Sequence, residues 1–497
     1  MNKKYILSID QGTTGSRVIL FDHFGRIFNS AYREIKQFYP SPGWVEHDPM
    51  EYVETILDCI KEVIHKSKIN PVEIASIGIS NQRETIILWD KKTGKPLHNA
   101  IVWQCRRTAD YCSHLKSEGY SDLVSEKTGL VIDAYFSATK IKWIIDNVSG
   151  VREKIKKGEV LAGNVDSWII WNLSKGKYHV TDYSNASRTL LLNINNLKWD
   201  NELLGIFGVP ENILPELKQN SGIMAYTDKN IFGIEIPIAG AAGDQQAALF
   251  GQACFSPGMV KNTYGTALAL IMNIGDKPVR SKNGLTTDLA WVINNKAVYA
   301  FEGLIFIGGA TIQWLRDGLK IIKDAKECDM LSEQVEDTGN VYLVPAFTGL
   351  CAPYWDMYAR GLLIGITRGT SREHICRAAE EAIAYQTLDV INAMISDSSI
   401  DILSLKVDGG ATKSDFLMQF QSDILGIPVV RPKVTEMAAL GVAYLAGLGV
   451  GFWNNTGELE KHWEVDKIYN PLMDSIKRKA LYCGWKNAVS RSLEWAK

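Results

Sequence analysis

The stretch Ile6-Leu7-Ser8-Ile9-Asp10-Gln11-Gly12-Thr13-Thr14-Gly15-Ser16-Arg17-Val18-Ile19-Leu20-Phe21-Asp22 decides how the rest of the chain is read. Two β-rich apolar runs, Tyr5 to Ile9 and Val18 to Phe21, flank a polar turn with two glycines, which is the pattern of a hairpin. The turn sets the Asp10 carboxylate at the end of a buried strand, followed by two threonine hydroxyls, a serine hydroxyl and Arg17. Glycines let backbone N–H groups approach an anion, hydroxyls and a guanidinium bind phosphate oxygens, and a carboxylate can hold a metal hydrate. Taken alone, the stretch also fits an ordinary Gly-rich hairpin.

It does not stand alone. Met259 to Met272 (MVKNTYGTALALIM) repeats the plan, with an apolar run, a turn carrying Thr263, Gly265 and Thr266, and a second apolar strand. A weak internal repeat of this kind is expected when two halves share one ancestral fold. Two such hairpins facing across a cleft would hold a triphosphate from both sides. Gly251 to Gly258 reads as the divide, giving domains 1–251 and 252–497.

Outward from the hairpin the pattern alternates between strands and helices. Asp48, Pro49 and Glu51 make a helix start ahead of apolar residues at helical spacing. Glu73 to Ser80 reads as a buried strand that delivers Asn81-Gln82-Arg83-Glu84 ahead of a second strand, Thr85 to Trp89, so the class is α/β. Arg83 and Glu84 side by side offer donors and acceptors to a polyhydroxylated ligand, or form a surface ion pair. Ala100 to Arg107 reads as a strand in which Trp103 is core, and Tyr135 to Trp143 as a helix that Ser137 could cap. Asp182 to Arg188 (DYSNASR) reads as a polar loop. Ile236 to Gln246 is a small-residue strand and turn ending in Asp244-Gln245-Gln246, with a helix from Ala247. Asp244 is either a ligand to something in a cleft or an acid at a helix N-terminus, a placement worth about 0.3–1 kcal/mol. A capping box at Thr370 and Glu373 opens a long helix to about Met394. Asp401 to Asp408 reads as a strand, with a Gly409-Gly410-Ala411-Thr412 turn after it and a helix from Ser414.

Composition narrows the function. A net charge of −2 over 497 residues implies neither a nucleic-acid partner nor a membrane surface. The longest apolar run, Met437 to Trp453, contains four glycines and falls short of the roughly 20 residues a membrane span needs. It reads instead as a buried, small-faced helix, and the chain as no integral membrane protein. Eight cysteines without a C-x-x-C pair read as free thiols in a reducing, cytoplasmic compartment.

Together these residues resemble the FGGY family of carbohydrate kinases over essentially the whole chain. Two stretches carry its diagnostic patterns, Tyr135 to Asp146 (YFSATKIKWIID) and Gly361 to Glu381 (GLLIGITRGTSREHICRAAEE), the second with Glu380 where an apolar residue is usual. GWVEHDP (43–49), NQRET (81–85), GDQQAALFGQ (243–252) and NTYGT (262–266) resemble the members that phosphorylate glycerol. The resemblance implies two ribonuclease H-like, actin- and hexokinase-like domains flanking a catalytic cleft. It implies glycerol and ATP as substrates, Mg²⁺ as cofactor, sn-glycerol 3-phosphate as product, and a homodimer or homotetramer.

By position, the resemblance implies that Thr13, Thr14, Arg17, Thr266, Gly309, Gln313, Gly410 and Ser414 bind nucleotide. Arg83, Glu84, Trp103, Tyr135, Asp244 and Gln245 would form the glycerol pocket, Asp10 and Asp244 would hold the metal, and Asp244 would be the general base. Ser414 and Ala269 depart from the family pattern, which has Asn near the adenine and an aromatic beside the glycerol. A Gly-Gly-Lys-Gly-Gly loop that binds fructose bisphosphate in some relatives has no counterpart between Ser221 and Pro237.

Overall fold

The opening stretch is a hairpin. Tyr5–Gln11 pairs antiparallel with Gly15–Phe21, and Asp10 lies opposite Arg17. The computed structural model describes residues 3–497. In it the hairpin belongs to a six-stranded sheet ordered Ser221–Tyr226, Pro237–Gly243, Ile74–Asn81, Tyr5–Gln11, Gly15–Phe21, Ile27–Glu34. Tyr5–Gln11, Ile74–Asn81 and Pro237–Gly243 run parallel, and the outer pairs are antiparallel.

The second hairpin, Val260–Tyr264 with Leu268–Gly275, rebuilds the same plan. Its sheet runs Thr286–Ile293, Lys296–Ile305, Leu268–Gly275, Val260–Tyr264, Leu405–Asp408, Val429–Pro432, Val465–Tyr469. The order antiparallel, antiparallel, parallel, parallel, antiparallel recurs, with Thr286–Ile293 as an extra edge strand. Two lobes of α/β fold therefore share one topology.

The apolar run at 437–453 forms the buried helix Met437–Gly449, which crosses to the first sheet. Ser8 Oγ donates to Ala439 O (2.8 Å), Ser76 Oγ to Ala446 O (3.0 Å) and Ser221 Oγ to Leu445 O (2.7 Å). Glycines make this approach possible. A Cβ on Gly78 would lie 2.2 Å from Val442 O, and one on Gly441 would lie 1.8 Å from Ala247 O in the helix Asp244–Gly251. No helix among the described residues is long and apolar enough to cross a membrane.

Several local expectations need correction. The strand expected over 401–408 is only Leu405–Asp408, and the helix expected from Ala247 begins at Asp244. The strand expected over 100–107 is only Ala100–Ile101, because the chain turns at Val102 with the Cys105 amide bonding back to its carbonyl. Ser137 does not cap its helix; Phe136 stands at the cap and Ser137 is the first residue of Ser137–Asn147. Asp182 to Ser187 is not a loop. Asp182 caps the short helix Tyr183–Ser187 by accepting the Ser184 and Asn185 amides. The helix Arg372–Ser398 is boxed by Ser371 and His374, one residue later than Thr370 and Glu373. Inside that helix Glu380 is buried, and burial with Asp329 beside it drives its carboxyl well above the usual range.

The seating of Met437–Gly449 has a testable sign. Alanine is favoured over glycine inside a helix by about 1 kcal/mol, while overpacking a tight contact costs about 1–3 kcal/mol. Against backbone at 1.8 Å the clash dominates, so Gly441→Ala should lower the urea midpoint. A raised midpoint would mean that the helix is not pressed on Ala247.

Candidate functional site

The expected site residues gather at the carboxyl ends of the parallel strands, where open α/β sheets bind ligands. Asp10 lies near the end of Tyr5–Gln11, Arg83 and Glu84 follow Ile74–Asn81, and Asp244 follows Pro237–Gly243. Opposite them, Thr266 lies in the turn after Val260–Tyr264, and Gly409-Gly410 follows Leu405–Asp408.

Arg83 is not a surface charge. It is buried, with Nε 3.3 Å from Asp244 Oδ1 and 3.9 Å from Glu84 Oε1, Nη1 bonded to Gln246 Oε1 (3.3 Å), and Nη2 donating to Glu302 Oε1. A second buried arginine, Arg188, donates from Nε to Glu84 Oε1 (2.6 Å). Its Nη1 lies 2.5 Å from Asp288 Oδ2 and 2.7 Å from Glu302 Oε2. Asp288 and Glu302 stand on adjacent strands of the second sheet, so this network joins the lobes. Burial alone would raise the Glu302 carboxyl, but Arg188 and Arg83 outweigh it and hold Glu302 below the usual range. Burial wins at Glu84 and pushes its carboxyl up against the pull of the two arginines.

Of the charged groups around Arg83, Asp244 keeps the largest opening, with 33% of its side chain exposed against 2% or less for Arg83, Glu84 and Glu302. It is the first residue of Asp244–Gly251, with Gly243 at the cap, and its Oδ1 accepts the Gln245 amide (2.8 Å). Burial raises its pKa, opposed by Arg83 and Lys261. Lys261, buried on the second hairpin, donates to Gln245 Oε1, to Thr263 Oγ1 (2.9 Å) and to Ala269 O (3.3 Å), which fixes Gln245 across the lobes. Trp103 and Tyr135 are half-buried and pack edge to face at 5.6 Å. Trp103 Nε1 donates to Thr13 Oγ1 (2.9 Å), linking this wall to the opening turn.

Around the opening turn, Thr14 is exposed and Arg17 is half-buried, its Nη1 bonded to Glu436 Oε1 (3.1 Å). Thr266 is exposed, and its carbonyl accepts the Gly308 (2.9 Å) and Ala310 (3.1 Å) amides. Gly309 fits because a Cβ there would lie 2.7 Å from Gly265 O. Gln313 is exposed, and Gly410 faces open space after Gly409, whose φ of +94° favours glycine. Ser414 is buried and caps Asp415–Leu425, its Oγ accepting the Leu417 amide (3.0 Å).

Asp10 is the strongest metal candidate. Burial pushes its carboxyl up to about 6, with Asp244 adding to the rise and Ser80 and Arg17 opposing it. A buried carboxylate that feels a second one nearby suits a hard, oxygen-seeking cation such as Mg²⁺, which is held by one or two carboxylates and keeps several waters.

Sequence reading assigned no role to Arg188, Asp288, Glu302 or Lys261. The signal was present for the acids. Asp288 and Glu302 each interrupt an apolar strand, TTDLAWV and AFEGLI, and an ion in such a run must be paired when buried.

Known proteins resemble this chain along nearly its whole length. The model of the FGGY family of carbohydrate kinases, N-terminal domain, matches residues 5–251, and that of the C-terminal domain matches residues 260–450. The chain is similar to a glycerol kinase of Caldanaerobacter subterraneus subsp. tengcongensis, with 62% identity and 99% of each chain covered. It is also similar to glycerol kinase 2 of Thermotoga maritima, with 61% identity over 99% of this chain and 100% of that one. Among solved structures it resembles Plasmodium falciparum glycerol kinase with ADP, with a TM-score of 0.94, 39% identity and 99% of each chain covered.

Removing one member of a buried ionic network strands the others, at a cost of about 3–5 kcal/mol. Arg188→Met should therefore lower unfolding free energy by that amount in urea titration, with the slope unchanged. A variant as stable as the parent would show that the network does not join the lobes.

Proposed function

The chain belongs to the FGGY family of carbohydrate kinases, and on that premise we propose that it transfers the γ-phosphoryl group of ATP to a terminal hydroxyl of glycerol. The products are sn-glycerol 3-phosphate and ADP. The observation that carries this reading is Asp244, a half-open carboxylate 3.3 Å from the buried Arg83 guanidinium, beside Glu84 and the Trp103–Tyr135 wall. A small acceptor with several hydroxyls suits that mixture of charge and aromatic surface. The relatives at 58–62% identity bear the name glycerol kinase.

In this reading residues 1–251 supply most of the glycerol pocket and 252–497 most of the nucleotide site. Arg83, Glu84 and Gln245 orient the acceptor, and Trp103 and Tyr135 cover its carbons. Thr13, Thr14 and Arg17 approach the phosphates from one lobe, and Thr266, Gly309, Gln313 and Gly410 from the other. Asp244 accepts the proton of the attacking hydroxyl. The new bond joins that oxygen to the γ-phosphorus, and the bond to the β–γ bridging oxygen breaks, its electron pair leaving with ADP. Phosphoryl transfer of this kind depends on positioning and charge neutralisation. Asp10 and Asp244 would hold Mg²⁺, which when bound neutralises phosphate charge. Closure of the lobes excludes water and limits wasteful hydrolysis. A homodimer or homotetramer in the cytoplasm completes the reading, a compartment that the eight free cysteines suit.

A panel of glycerol, dihydroxyacetone, xylulose and ribulose with ATP should give the highest kcat/KM for glycerol. A higher value for either pentulose would overturn the substrate assignment. A positioned base contributes about 10²–10⁴-fold to rate, so Asp244→Asn should lose kcat by that factor with acceptor KM little changed. Asn serves equally well at a helix start, and near-normal turnover would retire the base. Because the Asp244 pKa is raised, kcat/KM should fall on the acid side through that raised value.

Asp10 gives a test independent of turnover. Its carboxyl titrates at about 6 in the fold, above its unfolded value, so the buried charge costs stability as pH rises through that range. A bound cation offsets the cost only where Asp10 is ionised. MgADP should therefore raise the melting temperature more at pH 7.5 than at pH 5, and Asp10→Asn should shrink the difference to the part that Asp244 carries. Equal shifts in the parent protein at the two pH values would remove Asp10 from the metal site.

A further inference from the structure

Lys140 belongs to the helix Ser137–Asn147 and is fully buried. All its hydrogen-bond acceptors are backbone carbonyls. Nζ donates to Tyr135 O, to Phe136 O (3.0 Å) and to Glu84 O (3.3 Å). An ammonium is costly to bury, and an apolar side chain would fill the same space without that cost. What the lysine adds is a set of donors converging on two residues of the acceptor pocket.

Glu84 needs such a grip. Its φ is +59°, in the left-handed region that strains a non-glycine residue and persists only where surroundings hold it. The Glu84 carbonyl receives Lys140 Nζ and also Ser137 Oγ (3.2 Å). Ser137 Oγ is itself fixed by Asn164 Nδ2 (3.0 Å), which also holds Thr85 O (3.1 Å). In this peptide orientation the Glu84 carboxylate meets Arg188 Nε. The same ammonium holds Tyr135 O, and the Tyr135 ring packs on Trp103.

We infer that Lys140 is a positioning residue for acceptor binding, locking the strained Glu84 peptide and the Tyr135 backbone so that their side chains meet the acceptor's hydroxyls and carbons. The inference rests on the acceptor pocket assigned above. Burial pulls the Lys140 pKa down to about 8, with Glu84, Cys105, Asp133 and Cys112 the ionisable groups facing it, so the ammonium is charged at neutral pH.

The test is steady-state kinetics on full-length Lys140→Met and Ser137→Ala, with thermal unfolding of each. A hydrogen bond from a charged donor contributes about 1.5–3 kcal/mol, and 1.4 kcal/mol is tenfold in affinity. Lys140→Met should thus raise acceptor KM about tenfold or more, leaving ATP KM within about twofold and kcat within about threefold. Ser137→Ala, which keeps the lysine and removes a neutral donor, should raise acceptor KM by about two- to fivefold, and it decides the matter if Lys140→Met does not fold. Unchanged acceptor KM in a folded variant would overturn the inference, as would kcat and ATP KM worsening in step with acceptor KM. The ratio is measured on whichever acceptor the parent enzyme uses. A parent inactive on glycerol but active on another polyol would therefore overturn the substrate reading and still test Lys140.

Discussion

Arg188 reaches Glu84 on one lobe and Asp288 and Glu302 on the other, and Arg83 spans the same gap to Glu302. The first lobe brings both arginines, with Glu84 and Asp244 beside them, and the second brings Asp288 and Glu302, whose arginine partners lie on the other lobe. An isolated ion in a medium of low dielectric is far too costly to keep. These groups must therefore stay paired along the seam between the lobes. That arrangement also leaves Asp244 open beside Arg83. The opening beside Asp244 is a by-product of satisfying buried charge across an interface.

The second constraint is steric. Small residues on the first sheet and on Asp244–Gly251 allow the backbone of Met437–Gly449 to come within hydrogen-bond distance of Ser8, Ser76 and Ser221. The strands so covered carry Asp10, Arg83 and Asp244 at their ends. Packing on one face of the sheet thus fixes the relative height of three site residues. The same helix begins just after Glu436, the partner of Arg17.

Much of this was legible in the sequence, for reasons that differ by element. The two hairpins were readable because β-branched runs around Gly- and Thr-rich turns leave little alternative. Asp48 as a helix cap and the buried character of 437–449 followed from local chemistry alone. The errors fall where tertiary contacts override propensity. Val102 to Arg107 has strand composition, but its chain turns so that Trp103 can reach Thr13. Ser137 has the chemistry of a cap and is recruited instead to the Glu84 carbonyl. Arg188 lies 100 residues before Asp288, and no local pattern announces that it meets the two acids. Their charge inside apolar runs was the available signal, and it says only that a partner exists.

The course of synthesis follows from the crossing helix. Ser8 and Ala439, which touch in the finished protein, lie 431 residues apart along the chain. The first sheet emerges early from the ribosome with Gly78, Gly240 and their neighbours uncovered, and the segment that covers them is made near the end. Contacts of such long range form late and slowly. Until then that face offers an apolar surface of unusually small side chains, the kind of surface through which incomplete chains associate. Maturation of the first sheet thus waits on the second half of the chain.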